Sequence, residues 1–81
     1  MGMGRVSVVD SLKTDEVAKR LGMSVRGVHR LTALRAIPFR VLPHTRRCLF
    51  EPAWLDAWAD GAELEVVELD HGGLIVRPVG A

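Results

Sequence analysis

Two short stretches of helical periodicity, TDEVAKRL and VRGVHRL, stand only three residues apart with a glycine between them, and this spacing limits the fold more tightly than anything else in the sequence. Thr14 is placed to cap the first helix, whose opening turn sets Asp15 and Glu16 at the positive end of the helix dipole. Val17, Ala18 and Leu21 share one buried face. Gly22 then ends the helix, because glycine adopts left-handed backbone angles without a steric penalty. Ser24 is positioned to cap the second helix, along which Val25, Val28, Leu31 and Leu34 repeat as one apolar edge. The opposite face shows Arg26, Gly27, His29, Arg30 and Ala33. Helices this short, joined by so little chain, do not lie antiparallel comfortably and are expected to cross steeply, as in a helix-turn-helix.

Beyond Pro38 the period shortens. Phe39 and Val41 on one side, and Leu49 and Phe50 on the other, flank the polar, basic stretch LPHTRR at residues 42–47, a pattern that predicts a β-hairpin with a basic tip. Pro52 suits the first turn of a third helix, on which Trp54, Leu55 and Trp58 recur on one face and are assigned to the core. From Ala62 onward ELEV alternates like a strand, DHGG is a turn, and LIV is a second strand. Such a terminal hairpin is marginal alone and must lie on the core or pair with another chain through its edge. The expected fold is therefore α+β. Two crossing helices, a β-hairpin wing and a third helix fill residues 12–60, a flexible arm precedes them over residues 1–11, and a C-terminal β-hairpin follows over residues 61–81.

Charge is sorted along the chain. Residues 17–50 hold eight Lys and Arg and no acid, whereas residues 51–81 hold seven acids and Arg77 alone, so a net charge of +1 conceals a basic middle and an acidic tail. Soluble surfaces usually intersperse the two signs, and a single-sign stretch suits a polyanionic partner.

Several classes are expected to be absent. The 81 residues bury only about 60% of the surface of the unfolded chain, too little for a deep catalytic pocket and a robust core together. Cys48, the one cysteine, forms no internal disulfide, and with three scattered His it makes no metal site. No glycine-rich phosphate loop and no His/Asp/Ser constellation is present, so neither enzymatic activity nor a cofactor is expected. The opening MGMGRVSVVDSLK lacks an apolar run long enough for a signal peptide or a membrane helix, and Val6 breaks the myristoylation pattern. The expected compartment is the reducing cytoplasm, with no membrane partner.

The run TDEVAKRLGMSVRGVHRL, followed by IPFRV, RRCLF and EPAWLDAW, resembles the excisionase-type winged helix-turn-helix modules related to the MerR DNA-binding domain. The resemblance covers about residues 12–58, and the order and spacing of its pieces carry it. It departs at His29, where many relatives carry an aromatic residue, and at the tip Pro43, His44 and Thr45, which replaces a tighter glycine turn. Residues 62–81 lie outside it.

The resemblance implies that the second helix enters the major groove of duplex DNA with its N-terminal turns foremost. Arg26 is then the expected base reader, Arg30 reads a base or a phosphate, and His29 on the same face donates to either. Ser24 and Lys19 are candidate backbone contacts, with Gly27 permitting close approach either of the DNA backbone or of a neighbouring helix. Arg40, His44, Thr45, Arg46 and Arg47 form the expected wing, gripping the minor groove or its flanking phosphates. Membership of that family implies an excisionase, also called a recombination directionality factor. It would bend attachment-site DNA of a phage or mobile element, direct an integrase and self-associate along the DNA. The alternatives are a small transcription regulator at a promoter and, from another class, a winged-helix protein-interaction adaptor that uses its terminal hairpin for strand addition.

Overall fold

Local capping chemistry sets the first two helices. In the computed structural model, which describes residues 11–80, α1 spans Thr14–Leu21 and α2 spans Val25–Ala33. The start of α1 differs from expectation by one residue. Lys13 holds the extended cap position, Thr14 is already helical, and the Glu16 carboxylate accepts from the Lys13 N–H at 2.8 Å. The Glu16 carboxylate thus satisfies the N–H of the cap residue itself, as the acidic half of a capping box does. Gly22 closes α1 as expected. At φ 69° it lets its own N–H reach the Lys19 carbonyl and lets the Met23 N–H reach the Ala18 carbonyl, the paired bonds of a Schellman ending.

Ser24 caps α2, its Oγ accepting from the Gly27 N–H at 3.0 Å. Replacing it with alanine leaves that donor to water and is expected to cost about 1 kcal/mol. In a domain of this size such a loss lowers the melting temperature by about 4–8 °C, a shift that thermal unfolding followed by circular dichroism would record. At the far end Arg35 adopts φ 53° and repeats the Schellman pattern. Its N–H donates to Thr32 and the Ala36 N–H donates to Leu31. The helix therefore stops well before Pro38, with an arginine where glycine would sit without strain.

The strands are β1 (Phe39–Val41), β2 (Cys48–Leu49), β3 (Leu64–Glu68) and β4 (Leu74–Pro78), and α3 (Pro52–Ala59) lies between the two pairs in sequence. Both expected hairpins form, but they do not stay separate. The sheet order is β2-β1-β4-β3, antiparallel throughout, with β4 zipped along β1 so that Phe39 faces Val76 and Val41 faces Leu74. The C-terminal residues thus extend the first hairpin into a four-stranded sheet, which satisfies one backbone edge of β1 and buries Val76 completely.

Val17 and Ala18 of α1, Val28 of α2, Leu55 of α3, and Ile37, Phe39, Phe50 and Val76 make the core. Burial of a side chain as large as Phe50 is worth about 1.5–3 kcal/mol. Expectation is corrected at three places on the helices. Val25 and Leu34 are exposed, at 41% and 69%, because α2 turns only its Val28 and Leu31 side inward and Leu34 lies past the last helical turn. On α3, Leu55 is the core residue. Trp58 packs at the edge of the core and Trp54 stays half-buried. The observed architecture is a small α+β fold of three helices and one four-stranded antiparallel sheet. Among the described residues no helix is long and apolar enough to cross a membrane. The expected N-terminal arm, apart from Ser11, lies outside the described residues.

Candidate nucleic-acid interface

At 3.6 residues per turn the exposed side of α2 has two flanks. Val25 and His29 lie on one, where they line a shallow cleft of about 430 Å³ together with Arg46, Arg47, Cys48 and the start of α1. Arg26 and Arg30 lie on the other, beside Met23, Ser24, Gly27 and Leu31. The fold thus brings His29 together with Arg46 and Arg47, which are 17 and 18 positions away in sequence, and presents Arg26 and Arg30 one helical turn apart. Among the described residues Asp15 is the one acid on the cleft, with Lys13 close by.

The β1–β2 loop is shaped by its own turn. The Thr45 N–H and Oγ1–H both donate to the Leu42 carbonyl, at 3.2 and 2.9 Å. The Thr45 hydroxyl is therefore occupied within the loop. His44 takes φ 69° and stacks on His71 of the β3–β4 turn, ring centroids 5.6 Å apart. Pro43 lies so close to Gly73 that a Cβ there would come within 2.9 Å of the proline ring, which explains a glycine at that turn. The C-terminal hairpin accordingly buttresses the basic loop, leaving Arg46 and Arg47 exposed.

At Gly27 the expected packing of a neighbouring helix is not found; the Met23 side chain and the Ser24 hydroxyl lie over its Cα. Lys19 is exposed on α1.

Arg40 is not brought to the basic loop. Its Nη1 pairs with the Glu51 carboxylate at 3.1 Å, its Nη2 donates to Ser11 Oγ at 3.0 Å, and the two charged side chains keep only 16% and 10% of their exposure. Its Nε is buried and has no acceptor among the described residues. The register of the hairpin explains this. Arg40 sits opposite Leu49, so Glu51, two residues on, is its diagonal neighbour on the same face. Arg20 is likewise engaged, by Asp56 of α3 at 3.1 Å on the surface.

These two pairs sort the cations of residues 17–50. Acids from the C-terminal half engage Arg20 and Arg40, Glu51 holding Arg40 against the body of the fold and Asp56 meeting Arg20 at the surface. Lys19, Arg26, Arg30, Arg35, Arg46 and Arg47 form no ion pair among the described residues. Cys48 at the cleft floor is half-buried, and that burial raises its pKa from the ordinary 9.0. It is a neutral thiol at physiological pH. Among the described residues no three His, Cys, Asp or Glu side chains are arranged to share a metal ion.

Sequence reasoning missed the Arg40–Glu51 pair, the His44–His71 stack and the exposure of Val25. The first was signalled by Glu51 being the first acid after the basic run, once a hairpin register is assumed. The other two had no local signal. No protein-family model, no curated protein and no solved structure matches the chain.

Proposed function

We propose that this protein binds duplex DNA as a winged helix-turn-helix, with α2 in the major groove and the β1–β2 loop as a wing along the adjacent backbone. The observation that carries the reading is the sorting of cations. Arg40 is paired with a buried acid and Arg20 with a surface one, while among the described residues the cations on the exposed side of α2 and on the loop form no ion pair. A surface built this way attracts a polyanion through release of its condensed counterions. Arg26 and Arg30 have the spacing and exposure to reach guanine acceptors or phosphates from one face. His29, Arg46 and Arg47 line a continuous cleft that suits a phosphate strand. Lys19 is the further candidate for a phosphate, and His44 and Thr45 shape the wing rather than grip DNA.

The finer reading, an excisionase that bends attachment-site DNA and directs an integrase, rests on the family resemblance of residues 12–58. Footprinting on genomic fragments tests it. Tandem protected repeats and bent fragments are the expected result for copies laid head to tail. Inverted half-sites about one helical turn apart would instead mark a symmetric promoter regulator. Retention of a protein partner but of no duplex would mark an adaptor.

A further inference from the structure

Val25 is the first residue of α2, 41% exposed, and lies in the cleft with His29, Arg46 and Arg47. A β-branched residue at an exposed helical position contributes neither helix propensity nor core burial. Lys13, Arg46 and Arg47 stand around it with Asp15, so a partner drawn to those cations and covering Val25 is anionic overall and presents an apolar group at the depth of a helix's first turn. Among base edges in the major groove, the thymine C5-methyl is the group that fits this description. The residues best placed to reach base edges in a helix-turn-helix are those of the recognition helix's N-terminal turns.

We infer that Val25 is a specificity-determining residue that packs on a thymine methyl. The inference rests on the duplex-DNA reading and names a feature of the site that reading leaves open. Arg26 is the next residue along α2 and His29 sits one turn on, on the same flank as Val25. The helix rises only about 1.5 Å per residue against about 3.4 Å per base step. The thymine is therefore expected near the guanine expected for Arg26, on the opposite side of the helix from it.

The test uses the full chain and duplexes selected by it from a random pool. Each thymine of a selected site is replaced in turn by deoxyuridine, which removes only the methyl, and affinity is measured by fluorescence anisotropy. At one thymine the wild type is expected to lose about three- to fivefold, the effect of one buried methyl. Val25→Ala is expected to bind the thymine duplex more weakly and to be indifferent to deoxyuridine at that position. Val25→Thr, which keeps the side-chain shape and one methyl, should retain part of the discrimination. Circular dichroism of both variants should match the wild type, since Val25 is exposed and is not one of the buried core residues. A wild type indifferent to every deoxyuridine, or a methyl effect that persists unchanged in Val25→Ala, overturns the inference while leaving duplex binding intact. Failure to select any duplex overturns the DNA reading itself, and this inference with it.

Discussion

Substituting both Arg46 and Arg47 with alanine is expected to weaken duplex binding by about 60-fold at roughly 0.1 M salt and hardly at all near 1 M. The size follows from counterion release. Each phosphate contact contributes about 0.9 to the slope of log affinity against log salt, so two lost contacts flatten the slope by about 1.8 and shift affinity at 0.1 M by that many decades. Both side chains are exposed on a loop held by its own turn and by the Pro43 and His44 contacts to the neighbouring hairpin. Their removal leaves the fold intact. The check is a pair of salt titrations, wild type against variant, with thermal unfolding as the control for folding. Equal slopes would show that the loop does not touch the phosphate backbone.

Arg40→Ala is expected to do the reverse, lowering stability by about 2–3 kcal/mol while leaving the salt slope unchanged. Truncating one member of a buried ion pair strands its partner's charge, at a cost of about 3–5 kcal/mol when burial is complete. The residual exposure of Arg40 and Glu51 moves the figure toward the lower value. Against a total stability of about 4–12 kcal/mol for a domain of this length, the melting temperature should fall by about 10–20 °C. Trp54 and Trp58, both half-buried on α3, give a fluorescence signal for the transition. The double replacement Arg40→Met, Glu51→Met should recover most of the loss, because it removes both charges together. A variant that keeps its stability but loses salt-dependent binding would return Arg40 to the DNA contacts that its place in the sequence first suggested.

Those three arginine positions mark what the sequence discloses. The features set within a few residues were legible. Gly22 and Ser24 end and begin helices as their chemistry requires, Pro52 opens α3, and the strand pairs around residues 42–47 and 70–73 follow from alternation broken by turn residues. The joining of the two hairpins through β1 and β4 was not legible. That pairing links residues more than thirty positions apart, and either strand alternates equally well in a sheet of two or of four. For the same reason Arg40 read as part of a basic loop. Its partner becomes visible only when the β1–β2 register places Glu51 on its face. Val25 and Leu34 fit the three-residue apolar repeat, but α2 is only nine residues long and presents a narrower face to the core than that repeat suggests. Of the candidate site, Arg26, Arg30, Arg46 and Arg47 were identifiable by exposure and charge alone. The grouping of His29 with the loop, and the buttress that His71 and Gly73 supply, required the sheet.

The most direct measurement is the affinity of the unmodified chain for duplexes from its source genome, titrated across salt. Arg30, Lys19, Arg46 and Arg47 as phosphate contacts predict a log–log slope of about −3 to −4, with discrete protected sites at low salt. A slope near zero, or no duplex retained even at low salt, would contradict the proposed interface.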